Sequence, residues 1–403
     1  MFSYWGQTGR VSLAIFMFWL SLYLYVPFLP IRASDLGASN TIIGLVVASY
    51  AIGQVLLRIP IGFGADLLGK RRPFALIAFF ASVIGALGLA LAPSPLMLFV
   101  ARSITGVAAA GWVVISVLYV SYWDQARTSE AMSRVMAITT FSIVVATFLG
   151  GFLVEYFGVI STFYAGLITG CIGIVLFWFS PESQEKIDEG FDWKTAVNVA
   201  RTPLLLKTSF LGILAQFVAF ATTFTFIPIY AKSIDASDME NGYLAAAMFT
   251  FAGIGSLMVP FLMKKIEFSW LIVSAFLVIA CSVVVVPFIE SPIVLVMSQA
   301  FGGLGRGVLN VQLMTLAVLA VSISRRATSM GIYQAIYAIG MLLGPLVAGF
   351  VGDYVSIVWV FGLSTCISLI SAFLTWLFLS KTNFDALFSN QVPQAKFNPQ
   401  DTP

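Results

Sequence analysis

The 403-residue chain has no histidine. That excludes Ser-His-Asp and Cys-His catalysis, histidine-ligated metal sites and histidine proton relays. Charge is also scarce. Lys, Arg, Asp and Glu make up 10% of the residues, against roughly 25% in a soluble domain. Apolar residues reach 60% and the mean hydropathy is +0.98, so the chain belongs mostly in a bilayer. The three cysteines, Cys171, Cys281 and Cys366, sit inside apolar runs. They read as small buried hydrophobes rather than a disulfide framework. A net charge of +3 without a basic tail carries no nucleic-acid signature. No metal site, cofactor or enzymatic chemistry is expected.

What the chain has is long apolar runs. A membrane helix needs ~20 such residues, and twelve runs qualify: 11–31, 41–61, 74–92, 95–121, 135–154, 158–180, 208–230, 242–263, 269–289, 293–321, 328–352 and 356–379. The N-terminal region lacks a small-residue cleavage site, so the first run reads as a retained span. Two breaks, Ala92-Pro93-Ser94-Pro95 and Glu290-Ser291-Pro292, suit tight helical hairpins. An even number of spans puts both termini on one side. Sixteen of the 21 basic residues fall on that side, and only Arg32 and Lys232 on the other. The positive-inside rule makes the terminal side cytoplasmic, in a multi-pass protein of the inner (cytoplasmic) membrane.

The halves repeat. Phe28-Leu29-Pro30-Ile31-Arg32-Ala33 recurs as Phe226-Ile227-Pro228-Ile229-Tyr230-Ala231 at an offset of 198. Gly44 and Gly242 share that register, as do Gly151-Phe152-x-x-Glu155-Tyr156 and Gly349-Phe350-x-x-Asp353-Tyr354; Arg102-x-x-x-Gly106 meets Gln299-x-x-x-Gly303 at 197. The expected fold is an all-α membrane protein of twelve transmembrane helices in two pseudo-symmetric six-helix halves. Residues 1–180 form the first half, 181–207 a linker, 208–380 the second half and 381–403 a tail. Trp193, Ala196, Val197 and Ala200 recur at helical spacing, which suits a short amphipathic helix in the linker. Parallel repeats of this kind place a substrate site between the halves near mid-membrane.

Between spans two and three the chain reads Gly62-Phe63-Gly64-Ala65-Asp66-Leu67-Leu68-Gly69-Lys70-Arg71-Arg72-Pro73. This resembles the signature cytoplasmic loop of the major facilitator superfamily (MFS): Gly, three residues, Asp, then Gly and a basic cluster. Its glycines permit a tight turn. Leu67 stands where that pattern has a basic residue. The resemblance implies a conformational switch built from Gly62, Asp66, Gly69, Lys70, Arg71 and Arg72. Gly64-x-x-x-x-Gly69-Lys70 mimics a phosphate-binding loop, but Arg71 replaces the required Ser or Thr. In span four, Arg102-x-x-x-Gly106 resembles a second family motif whose Arg faces a central cavity. Span eleven carries Gly340, Gly344, Pro345 and Gly349, resembling the Gly-Pro motif that drug and metabolite antiporters of the family carry in span five. Here it serves as a helix hinge or packing face.

Three arginines, Arg58, Arg102 and Arg306, lie inside spans. Gln299, Gly303, Arg306 and Asn310 share one face of span ten, and Tyr50, Gln54 and Arg58 one face of span two. Tyr23 and Tyr25, Gln216 and Thr223, and Gln334 and Tyr337 lie on spans one, seven and eleven. The resemblance implies that these helices line the cavity. The substrate-binding set is Arg102, Arg306, Asn310, Gln299, Tyr23, Gln54, Gln216, Gln334 and Tyr337. A secondary transporter working by alternating access is expected, leaning to proton-coupled drug or metabolite efflux with H+ as coupling ion, membrane lipids as surroundings and a monomeric state. The span arginines and the missing mid-span carboxylate support an alternative, an organic-anion carrier; a flippase of lipid or phosphate headgroups is another. The small-molecule solute is anionic in these alternatives.

Overall fold

The computed structural model describes residues 2–124, 127–182, 193–322, 325–380 and Phe384. Twelve helices are long and apolar enough to cross a membrane: Thr8–Asp35, Asn40–Ala65, Arg72–Leu91, Pro95–Val120, Glu130–Phe157, Ile160–Trp178, Pro203–Ser233, Asp238–Leu262, Phe268–Phe288, Pro292–Leu319, Thr328–Tyr354 and Ile357–Leu379. They are numbered here as spans one to twelve. The proline breaks make the hairpins. At Ala92-Pro93-Ser94-Pro95 one helix ends, and the Ser94 hydroxyl caps the next by accepting from the Met97 N–H.

The spans form two groups of six. In the first, Phe18, Phe79 and Phe177 pack into one core and Tyr25 and Phe163 into another. Phe226, Phe276 and Phe361 anchor the second group. Large apolar side chains such as Leu56, Phe261 and Phe288 point outward, as lipid-facing residues must. Lipid tails are as apolar as leucine, so helices associate here through close packing of small residues and local hydrogen bonds. A Cβ on Gly106 would overlap the Tyr50 carbonyl, and one on Gly303 would meet the Met248 carbonyl at 2.5 Å. These contacts, between spans two and four and between spans eight and ten, occupy matching positions in the repeat. The halves meet chiefly through spans two and eleven and spans five and eight.

Several details differ from the sequence reading. The three cysteines are exposed rather than buried; their apolar surroundings are lipid, not protein core. The span-two helix continues through Leu68, so most of the 62–73 segment is helical and the turn is confined to residues around Gly69, whose φ is +60°. Gly62 therefore lies inside a helix, and Gly69 alone supplies the left-handed conformation that favours glycine. The linker helix spans Trp193–Ala200. Val199 is buried while Val197 is exposed, and the side chains of residues 193–196 lie outside the described set. The proposed tail, 381–403, lies outside the described residues except for Phe384, which stacks on Phe268.

Spans one, four and seven are interrupted, which hydropathy alone did not reveal. Span one passes from α-helix to a 3-10 turn at Val26–Phe28 before resuming at Leu29. Span four breaks at Gly111. Span seven contains a π turn, Thr222–Phe226, just before Ile227-Pro228. Two of these breaks end on the phenylalanine of the repeated Phe-x-Pro-Ile sequence. Proline removes a backbone donor and strains the preceding turn, and π turns cluster at functional sites.

Candidate functional site: a cationic cavity under a closed end

The two ends of the bundle are unlike. At the end opposite the termini, the halves touch backbone to backbone. A Cβ on Gly242 would lie 2.7 Å from the Gly151 Cα, and one on Gly44 would overlap the Pro345 carbonyl. Two carboxylates reach across this contact. Asp353, ending span eleven, accepts from the Asn40 and Thr41 N–H groups at 2.8 Å each. Glu155, near the end of span five, accepts from the Met239 N–H at 3.1 Å. Each acid thus meets the N-terminus of a helix in the opposite half, where free N–H groups and the helix dipole favour negative charge. Phe148 stacks on Tyr243 beside the second latch, with ring centroids 5.6 Å apart.

Beneath this closure lie the arginines. Arg102 is 4% exposed. Its guanidinium sits 4.2 Å from the Tyr50 ring centroid and 5.7 Å from that of Tyr25, and it donates to Thr105 Oγ1 at 3.2 Å. Tyr50 is within electrostatic reach of Arg102, Arg58, Tyr23 and, from the other half, Tyr337. Arg58 donates to Gln54 Oε1 at 2.6 Å. In span ten, Arg306 donates to Thr222 Oγ1 at 3.2 Å, and Thr223 donates to Gln299 Oε1 at 3.5 Å. The π turn of span seven is what brings both threonines to span ten. Nε of Arg58, Arg102 and Arg306, Nη1 of Arg58 and the Tyr25 hydroxyl are buried without a hydrogen-bond partner. None of the ion pairs among the described residues involves these arginines.

Their depths differ. At ~1.5 Å per residue, Arg102 lies about 10 Å from the closed end of its helix, Arg306 about 21 Å and Arg58 about 27 Å. Along span ten Gln299 is buried, Arg306 half-buried and Asn310 exposed. Exposure along this stripe therefore grows toward the terminal face. An aromatic chain joins the halves at comparable depths: Trp112 to Trp19 (5.2 Å), Trp19 to Tyr23 (5.7 Å), Tyr23 to Phe249 (5.7 Å), Phe249 to Phe224 (6.0 Å) and Phe224 to Phe220 (4.6 Å).

The structure thus gathers Tyr23, Gln54, Arg102 and Tyr337 around Tyr50 and Arg58, and pairs Arg306 and Gln299 with the span-seven threonines. Gln216 and Gln334 are half-buried on spans seven and eleven and join neither group. The aromatic residues Trp19, Trp112, Phe224 and Phe249 were not singled out from the sequence; the i, i+4 pairing of Trp19 with Tyr23 is the one signal that pointed to any of them. In span eleven, Gly340 and Gly344 pack on the Ile213 and Phe217 carbonyls of span seven, and Gly349 on the Asn40 carbonyl of span two. That helix is wedged between the halves, and Pro345 sits where it meets Gly44. At the terminal face, the Arg71 and Arg72 N–H groups donate to Glu182 at 2.8 and 3.1 Å, and the Arg72 guanidinium reaches the Trp178 carbonyl. Lys70 is exposed. The Asp66 side chain lies outside the described set.

Twelve spans in two matched six-helix halves, with arginines and tyrosines buried between them, define a transporter fold. The chain matches the Major Facilitator Superfamily over residues 11–294 and 236–401. It belongs to that family, whose members are transporters rather than enzymes. An uncharacterized MFS-type transporter of Methanocaldococcus jannaschii is 21% identical over 92% of this chain and 99% of its own. The multi-drug resistance efflux pump PmrA of Streptococcus pneumoniae is 26% identical over 65% of this chain and 67% of its own. Among solved structures, a bacterial homolog of the human lysosomal transporter Spinster, inward-facing and unoccupied, superposes with a TM-score of 0.78 at 15% identity, covering 96% of this chain and 98% of that one.

Proposed function

We propose that the protein carries an organic anion across the cytoplasmic membrane by alternating access, with its terminal face in the cytoplasm. The observation that carries this reading is the set of span arginines, each with a buried Nε that has no hydrogen-bond partner. A cation within a span costs ~2.5–3.5 kcal/mol on insertion scales, and three of them need a counter-charge. Arg102 and Arg306 supply the positive charge that holds the anion, and Gln299, Gln54 and the tyrosines orient it. The aromatic chain stacks against the body of the solute, which favours carboxylates, sulfonates or phosphates attached to a ring. Rocking of the halves breaks the Glu155 and Asp353 latches and exposes the site on the other side.

Proton-coupled efflux is the second reading, favoured by the likeness to PmrA. The acidic residues of the spans stand only at their ends, which gives a cavity-borne proton no carboxylate to ride on. The flippase reading has less support. The crevice between spans five and eight, about 470 Å³, is lined by apolar residues such as Val144, Phe148 and Phe251 and by no cation.

Thermal unfolding of the purified protein with matched ring compounds tests the proposal. 4-Toluenesulfonate and benzoate should raise the transition, by up to ~2.7 kcal/mol at 100 times Kd, while benzyltrimethylammonium should not. Stabilisation by the cation alone would reverse the reading.

A further inference from the structure

A second cavity lies at the closed end itself. It holds about 460 Å³, within the roughly 300–1,000 Å³ of small-molecule sites. Four span ends wall it. In the first half, span one gives Ile31 and Asp35 and span five gives Val154; in the second, span seven gives Ile229 and Lys232 and span eight gives Asp238. Phe28 and Val154 are buried at its base, while Ser34, Asp35 and Gly158 are exposed at its mouth. The Lys232 ammonium pairs with Asp238 Oδ1 at 2.7 Å. None of the ion pairs among the described residues involves Asp35, and Arg32, one turn back, does not line the cavity. Asp35 is not explained by the helix it ends, because the helix dipole disfavours negative charge at a C-terminus. Nor does the repeat require it, since the residue at the matching position is Ser233. The cavity also adjoins a latch: Val154 and Asp238 immediately precede Glu155 and Met239, the latch's two ends.

We infer that this cavity is a binding site for an organic primary amine, separate from the arginine cavity, and that its occupant holds the closed end shut. One carboxylate outside any ion pair, beside one matched pair, leaves the lining negative. Phe28, Ile31 and Ile229 supply an apolar wall for the carbon body. A primary ammonium brings three N–H donors. Asp35 accepts one; Asp238, which meets Lys232 through Oδ1, accepts another on Oδ2. Such charge-assisted bonds are roughly twice as strong as neutral ones. A quaternary ammonium of similar size has no N–H to give. The coupling to motion follows from which residues form the walls. Parting the halves pulls Asp35 and Val154 away from Lys232 and Asp238, so the complete cavity exists only in the closed form. A ligand that binds one state and not the other shifts the equilibrium toward it. At 100 times Kd the open population falls about 100-fold. The amine therefore acts from the face opposite the termini as a brake on the rocking, whatever solute the arginine cavity carries.

Phenethylammonium is the probe. Calorimetry on the purified protein in neutral detergent should show it binding, and benzyltrimethylammonium should not bind. Asp35→Asn should weaken phenethylammonium at least about tenfold. Ser34→Trp, at an exposed position of the mouth, should block it. The Met239 N–H loses its carboxylate when the closed end opens, so its hydrogen exchange counts that opening. Saturating phenethylammonium should slow this exchange up to ~100-fold in the wild-type protein, and not in Ser34→Trp. If the amine fails to bind, or binds both variants as it binds the wild type, the site does not exist. Equal binding of benzyltrimethylammonium would overturn the hydrogen-bonded amine. Binding that leaves the Met239 exchange unchanged would overturn the brake. If Asp35→Asn does not fold, Ser34→Trp and the quaternary control decide in its place. None of these outcomes turns on anion binding, which 4-toluenesulfonate reports separately.

Discussion

The closed end and the cavity obey opposite rules. At the closed end the repeat is faithful: Gly44 answers Gly242, Gly151 answers Gly349, and Glu155 answers Asp353, all at the same offset of 198. Each pair makes the same kind of contact, backbone against backbone or carboxylate onto a helix start. In the cavity the repeat is broken. Arg102 faces Gln299 in the aligned register, Arg306 corresponds to Ala109, and Arg58 corresponds to Ser256. Under the proposed function, the symmetric residues would serve the motion, which must be similar for both halves. The unmatched residues would serve the solute, which has no two-fold symmetry of its own.

Three perturbations would break or sharpen this contrast. The largest effect is expected from Gly44→Leu and Gly242→Leu, which drive a side chain into the Pro345 and Gly151 backbones. Each should cost ~1–3 kcal/mol or more of the closed form. Distances between spin labels at the closed ends of the halves should lengthen for both variants; lengthening for one alone would show that the halves do not share the closure. Next, Arg102→Gln and Arg306→Gln should each weaken 4-toluenesulfonate binding by ~1.5–3 kcal/mol, measured by calorimetry. The reciprocal Gln299→Arg should not restore binding to Arg102→Gln, because the Tyr25 and Tyr50 rings beside Arg102 are replaced by Thr223 and Met248 at the matching positions of the other half. Full rescue would mean that the cavity is symmetric after all. The smallest effect is expected at the latches. Asp353→Asn removes the charge from two N–H groups and Glu155→Gln from one, so hydrogen exchange at Asn40 and Thr41 should rise more than at Met239. Each loss is about 1 kcal/mol per bond. Equal losses would argue that the helix dipole, rather than the individual bonds, holds the latch.

Much of the fold could be read before any coordinates. Apolar length placed all twelve spans because the bilayer sets a minimum run, and the repeat foretold the matched packing of Gly106 and Gly303. The interruptions in spans one, four and seven escaped notice because a break inside a continuous apolar run leaves hydropathy unchanged; only Pro27 and Pro228 marked two of them. The helical extent of residues 62–68 was hidden by Gly62 and Gly64, which look like turn residues but pack inside a helix near Val113 and Phe74. The arginines and their tyrosines stood out because charge is rare in spans and falls on one helical face. Phe224 and Phe249 did not, because one phenylalanine among 36 gives no hint of whether it faces lipid, core or cavity. The cysteines were misplaced for the same reason: in a membrane protein an apolar neighbourhood does not distinguish inside from outside.

The glycine contacts at the closed end have a mechanical consequence. Where the smooth backbones of Gly151 and Gly242 meet, the two bodies can part without a side chain leaving a socket at that point. Resistance to opening there falls to the neighbouring Phe148–Tyr243 stack and the electrostatic clasps. Such a joint could be retuned by one or two substitutions while the compartment that selects cargo is left untouched.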